Sequence, residues 1–227
     1  MSRRKLAVIM DPIESIKPHK DSSLAMMLEA QRRGWKIHYG QLHDIWLRDG
    51  KAFGRLTTLQ VADDQTEWFV AGNVAVTPLG DMDVILMRKD PPFDMQYVFA
   101  TYVLQRAEDH GALVVNGPQG LRDANEKVFM AWLPDCVPPT LISRSLEEMR
   151  AFVSEHRKVV VKPLDLMGGR SVFVTDTEDG NRNVILETVS QDGSRYVMLQ
   201  KYLAEIVDSG DVRITEPLFD AISSKLG

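Results

Sequence analysis

The chain has 227 residues, a net charge of −5, 44% apolar and 26% charged residues, so its composition is that of an ordinary globular protein with a sizeable core. The acidic balance excludes the basic footprint of a nucleic-acid binder, and the one cysteine, Cys136, excludes an internal disulfide framework. The apolar run after the basic start ends at Asp11-Pro12, too short for a signal-peptide core, and no uncharged apolar stretch is long enough to span a bilayer. A soluble, cytoplasmic protein with no membrane or nucleic-acid partner is the expectation.

Leu6 to Met10 reads as a buried strand stopped by Asp-Pro. Asp21-Ser22-Ser23 supplies cap chemistry for a helix carrying Leu24, Met27 and Leu28, which Gly34 closes. Trp35 to Tyr39 is the next strand, and Asp49-Gly50 marks a tight hairpin within residues 45–53. The polar stretch from about Gln60 to Gly72 reads as a long connection. Asp83 to Met87 is a buried strand, Met95 to His110 a helix ended by Gly111, and Ala112 to Asn116 a strand. Alternating strand and helix predicts an open, mostly parallel sheet with helices on its faces, without the GxGxxG dinucleotide fingerprint. A helix is predicted over residues 121–133, and the prolines from Pro134 to Pro139 break the pattern. Beyond them come the strand Thr140 to Ser143 and a helix capped by Ser145 with Glu148 at the capping-box position. The strands Lys158 to Lys162 and Ser171 to Thr175, a helix Val184 to Val189 and a last strand from Tyr196 to Leu203 complete the series.

Four constellations carry chemistry. Lys162 closes a buried strand and leads into a loop with Gly168 and Gly169. Triphosphates need cations and close backbone N–H groups, which such a loop offers. A hairpin with a snorkelling lysine explains the same residues. Lys127, placed in the predicted helix, could grip phosphates from a second side, though alone it reads as a surface lysine. Gln200-Lys201-Tyr202-Leu203 leaves a strand and could offer backbone groups to an adenine edge. Arg88-Lys89-Asp90 with Pro91-Pro92 follows a strand's carboxyl end, where open α/β sheets bind ligands, and Met10-Asp11 with Ser22 lies at the equivalent end of the first strand. Ordinary turn and cap chemistry explains Asp11, Asp90 and Ser22 singly. The five histidines show no metal-ligand spacing, and Cys136 has no nearby histidine.

As an ordered set these motifs resemble bacterial glutathione synthetase, an ATP-grasp family. The resemblance runs from about Leu6 to Arg213 and rests on Met10-Asp11-Pro12, Lys20-Asp21-Ser22-Ser23, Arg88 to Asp94, Asn125-Glu126-Lys127, Lys162 to Asp165, Met167-Gly168-Gly169 and Gln200 to Leu203. It implies a Rossmann-like N-terminal domain, residues 1–125, followed by an ATP-grasp domain, residues 126–227. By resemblance Lys127, Lys162, Gly168 and Gly169 face ATP phosphates, Gln200, Lys201, Tyr202 and Leu203 hold adenine, and Asp211 lies near the ribose. Met10, Asp11, Ser22, Arg88 and Asp90 face the peptide substrate, Arg213 is catalytic, and Glu216 is a magnesium ligand. The reaction implied joins γ-glutamylcysteine to glycine at the expense of ATP with Mg2+, through an acyl phosphate, in a homotetramer.

Two departures stand out. Leu166 replaces the glycine usual in the family's loop. After Gly210-Asp211-Val212-Arg213 the family continues for a long stretch, whereas this chain passes through Thr215-Glu216 to Pro217-Leu218-Phe219, which resembles the family's C-terminal helix. The expectation is that internal segments are missing after about Arg213. A true deletion would leave a non-catalytic nucleotide- or peptide-binding remnant. A different ATP-grasp carboxylate-amine ligase is the remaining alternative, disfavoured by the Arg88 to Asp94 run.

Overall fold

The computed structural model describes residues 3–90, 92–166 and 169–205. Gly168, Asp211, Arg213 and Glu216 lie outside the described residues.

Strand β1 (Lys5–Met10) lies at the centre of a seven-stranded sheet, between β2 (Lys36–Gly40) and β6 (Val84–Arg88). Both neighbours run parallel to it, and β7 (Leu113–Val115) extends the parallel set beyond β6. Alternation along β1 sends its side chains to two different cores. Leu6, Val8 and Met10 meet Leu24, Met27 and Ala30 of α1 (Ser22–Arg32). Ala7 and Ile9 meet Ala100, Leu104 and Ala107 of α2 (Met95–Asp109). Helices on both faces explain why β1 is apolar throughout rather than alternating. The cap of α1 is Asp21, whose side chain accepts the Leu24 N–H at 2.8 Å. Asp94 caps α2 in the same way, accepting the Tyr97 N–H at 2.9 Å.

The far half of this sheet is antiparallel. The hairpin of β3 (Ile45–Arg48) and β4 (Lys51–Val61) turns at Asp49 and Gly50, with φ of 51° and 74°, the backbone that the Asp-Gly pair favours. Strand β5 (Phe69–Pro78) pairs with β4 along its length. The long connection expected over residues 60–72 is therefore corrected: β4 runs to Val61, β5 begins at Phe69, and only the segment between them is loop. The alternation of β5 is broken where its register against β4 shifts opposite Thr57 and Leu59, which hid the strand from a periodicity reading. The Rossmann-like parallel sheet is thus four parallel strands with an antiparallel extension.

The helix expected over residues 121–133 is also corrected. Helix α3 (Pro118–Asp123) stops early, and residues 128–132 form a 3-10 turn. The Asn125 side chain is the cause: its Oδ1 accepts the N–H groups of Lys127 and Val128, at 3.1 and 3.0 Å, in competition with a helical ladder. Lys127 therefore precedes a turn instead of riding on an amphipathic helix.

A second, four-stranded antiparallel sheet follows, in the order β10-β9-β11-β8, built from β8 (Thr140–Ser143), β9 (Lys158–Pro163), β10 (Phe173–Asp176) and β11 (Val197–Lys201). Helices α4 (Leu146–His156) and α5 (Arg182–Ser190) cover one face, packing Met149, Val153, Leu186 and Val189 on Val159, Val161, Val197 and Leu199. The alternate residues Val160, Lys162, Met198 and Gln200 belong to the opposite face. No helix among the described residues is long and apolar enough to cross a membrane.

His38 on β2 supplies a pH dependence. Its Nε2 is buried with no hydrogen-bond partner among the described residues. Burial, then Lys5 and Lys36, hold its pKa below the usual 6.5. The unfolded chain therefore takes up a proton at a higher pH than the folded chain does. Stability from this residue is fully present above the unfolded pKa and declines as pH falls toward the depressed folded value, by at most about 1.4 kcal/mol per pH unit. Urea unfolding at pH 7 and pH 5 should show a smaller acid loss for His38→Gln than for the wild type. Equal losses would remove His38 as the cause.

Candidate functional site

The first cluster sits where β1 and β6 end side by side. Met10 and Arg88 are register partners, so the loops that follow leave the sheet together. The chain runs from β1 to β2 on one side and reaches β6 on the other, and that reversal opens a crevice at the carboxyl ends. Asp11 closes the two loops on each other. One carboxylate oxygen lies 2.9 Å from Lys89 Nζ, and the other accepts the Asp90 N–H at 3.0 Å. Arg88 donates through Nε to Ser23 Oγ at 3.1 Å and through Nη2 to Ser22 Oγ at 2.7 Å. The Leu24 amide at the start of α1 is taken by Asp21, and the positive charge of this cluster comes from Arg88 and Lys89. Met10 is 2% exposed and packs in the core, leaving only its backbone for a ligand.

Beside these loops a cavity of about 290 Å³ is lined by Arg88, Asp90, Tyr97, Asn116, Asn125 and Asp165, among others. Burial, against the pull of Arg88, raises the Tyr97 pKa above 10.0, so its phenol is a neutral donor at ordinary pH. The cavity has walls from both sheets: the Phe93 N–H donates to Asp165 O at 3.3 Å, and Asn125 Nδ2 donates to Leu164 O at 3.4 Å.

The second cluster lies on the face of the small sheet turned away from α4 and α5. Lys162 Nζ donates to Gln200 Oε1 at 2.7 Å, and Gln200 Nε2 donates to Thr140 Oγ1 at 2.9 Å. This chain of bonds holds the lysine over the sheet. Burial, then the nearby Lys127 charge, lowers the Lys162 pKa. Two mutually repelling ammonium groups in one place suit a polyanion. Lys127 Nζ spends two of its three donors, on Glu126 Oε1 at 2.6 Å and Leu166 O at 2.7 Å. Adjoining them, a cleft of about 260 Å³ has Pro138, Val160 and Leu203 as apolar walls and Gln200 and Lys201 at its polar side. The Lys201 and Tyr202 N–H groups are taken by Pro139 O and Lys158 O, both at 3.0 Å. Gly169 has φ of 73°, which suits glycine in a tight loop.

The structure therefore brings Lys127, Lys162 and Gln200 to Leu203 together, and separately gathers Asp11, Ser22, Arg88 and Asp90. Sequence reading quoted Asn125 and Asp165 within motifs without giving them a role, and it passed over Tyr97 and Arg195. Asn125 carried a signal, since an Asn two residues before a lysine at a helix break is turn chemistry. Arg195 carried none; it approaches Asp165 only through the fold, 30 residues away in sequence. The described residues hold no group of three or more side chains placed to bind a metal.

Comparison with known proteins gives the family and the fold. The family model for the prokaryotic glutathione synthetase N-terminal domain matches residues 4–122, and that for the prokaryotic glutathione synthetase ATP-grasp domain matches residues 126–218. The glutathione synthetases of Yersinia pestis and Escherichia coli are 51% and 50% identical to it over 210 residues, covering 92% of this chain. The chain spans 66% of the length of these curated relatives. Among solved structures, a D-cycloserine synthetase superposes with a TM-score of 0.57 at 18% identity, covering 91% of this chain and 62% of that one. The D-alanyl-alanine synthetase A of Vibrio cholerae superposes with a TM-score of 0.55 at 10% identity, covering 89% and 61%. Both show the same fold. With matched models over both halves and half of all aligned residues identical, the chain belongs to the prokaryotic glutathione synthetase family.

Proposed function

We propose that this chain holds ATP and γ-glutamylcysteine for an ATP-dependent ligase that joins the dipeptide to glycine. The observation that carries the reading is the pairing of a two-lysine nucleotide face, Lys127 and Lys162, with a cationic loop pair at the sheet's carboxyl edge, across one contact between Phe93 and Asp165. Lys162 and Lys127 hold the phosphates, with Gly169 in the loop that follows β9, and Gly168 belongs to this reading through resemblance. The 260 Å³ cleft takes the adenine between Val160 and Leu203. Since the Lys201 and Tyr202 amides serve the fold, the Leu203 backbone reads the purine edge. Arg88 and the Asp90 loop hold the peptide, and Asp11 sets their position. Bringing a carboxylate and a phosphoryl group into one cleft is the main task in such a transfer, with cations offsetting developing charge. Asp211 beside the ribose, Arg213 as the catalytic cation and Glu216 with magnesium belong to this reading through resemblance. The division into 1–125 and 126–227, a cytoplasmic location and a homotetramer belong to it as well.

ADP release that requires both γ-glutamylcysteine and glycine is the expected result. Nucleotide binding without any such release would instead support a binding-only chain. Absence of ATP binding would refute both.

A further inference from the structure

Three consecutive carbonyls after β9 each accept a hydrogen bond, two from the segment that follows α3 and one from the Phe93 loop. Leu164 O accepts from Asn125 Nδ2 at 3.4 Å, Asp165 O from the Phe93 N–H at 3.3 Å, and Leu166 O from Lys127 Nζ at 2.7 Å. The peptide-side loop and the connecting segment that carries the nucleotide-side lysine thus converge on one short stretch of backbone. One side chain fixes that stretch: the Asp165 carboxylate accepts from Arg195 Nη2.

Arg195 comes from a turn that is itself tightly held. Its N–H donates to Ser190 O at 2.9 Å, and the Gly193 N–H donates to Ser190 Oγ at 3.0 Å. Gly193 has φ of 77°, and a Cβ there would lie 2.9 Å from Arg144 O, so the turn needs glycine at this position. The ion pair itself is partly solvated, with side-chain exposures of 29% for Arg195 and 35% for Asp165. Pairs of that kind contribute little to stability. Fold stability is therefore a poor account of the pair, and its place against the three carbonyls is a better one.

We propose that Arg195 is a positioning residue which, by pinning Asp165, sets the 164–166 backbone so that Lys127 and the Phe93 loop are held as one unit, linking nucleotide and peptide occupancy. This deepens the proposed function and rests on its assignment of the two subsites. The physical route is short. The third Lys127 donor is free to take a phosphate while Leu166 O keeps the second. A phosphate that orders Lys127 thereby orders Leu166, Asp165 and the Phe93 amide, provided Asp165 is anchored.

The test uses the whole 227-residue chain, the non-hydrolysable analogue AMP-PNP and γ-glutamylcysteine. In the wild type, saturating dipeptide should tighten AMP-PNP binding by about fivefold or more. In Asp165→Asn and Arg195→Ala that factor should fall toward one, with melting temperature nearly unchanged, and Arg195→Lys should recover part of it. Amide exchange at Phe93, read without ligand, should quicken in the first two variants. Coupling and Phe93 protection that match the wild type in both variants would overturn the proposal, as would wild-type protein in which the two ligands bind independently. A wild type that binds no AMP-PNP would remove the subsite assignment and this inference together; binding with unaltered coupling removes the inference alone.

Discussion

Replacing Lys162 with alanine should weaken ATP binding by roughly tenfold to a hundredfold, the equivalent of one charge-assisted hydrogen bond of about 1.5–3 kcal/mol. The side chain is half-buried, held by Gln200 and repelled by Lys127, so its charge is poorly solvated before a polyanion arrives. A phosphate would relieve that repulsion. The same environment sets the pH profile. Burial and Lys127 hold the Lys162 pKa below 10.5 in the free protein, and loss of its proton removes the attraction. Affinity should thus decline as pH rises through that lowered value. Lys162→Arg, which keeps its charge at all such pH values, should shift the decline upward. Truncation also leaves Gln200 Oε1 without its donor, at a stability cost of about 1–3 kcal/mol, so binding is to be read by calorimetry at a temperature where the variant is folded. Unchanged affinity in Lys162→Ala would end the phosphate role.

The second large effect is on stability. Leu86→Ala should destabilise the parallel sheet by about 2–5 kcal/mol. Leu86 is 1% exposed, sits in the core under α1, and pairs with Val8 and Val115 on either side. Strands on both edges and a helix above leave the site little freedom to collapse around the lost atoms. Against a total of about 5–15 kcal/mol for a domain, that is a large fraction. Val74→Ala offers the contrast. Val74 is 60% exposed on β5, and surface changes of this kind stay within about 0.5 kcal/mol. Urea midpoints for the two variants should differ clearly. A Leu86→Ala loss no larger than that of Val74→Ala would contradict the placement of β6 inside the sheet.

The sequence by itself determined the elements whose signals are local. Apolar runs ending in Asp-Pro or Arg-Lys-Asp marked β1 and β6, Asp21 marked the start of α1, and Asp49-Gly50 marked the hairpin, because burial, capping and turn chemistry act over a few residues. Motif order also carried the family. Where a local signal was interrupted, the reading went astray: the register shift in β5 concealed a strand, and the Asn125 side chain ended a helix that apolar spacing continued. Only the tertiary structure decided which charges face one another. Parallel pairing of β1 with β6 placed Asp11 against Lys89 and Asp90, 79 residues away in the latter case. Antiparallel pairing of β9 with β11 put Gln200 under Lys162, and the turn before β11 brought Arg195 to Asp165. Such contacts depend on strand order and register, which are set by the burial of whole faces and leave no mark in the spacing of the residues that meet.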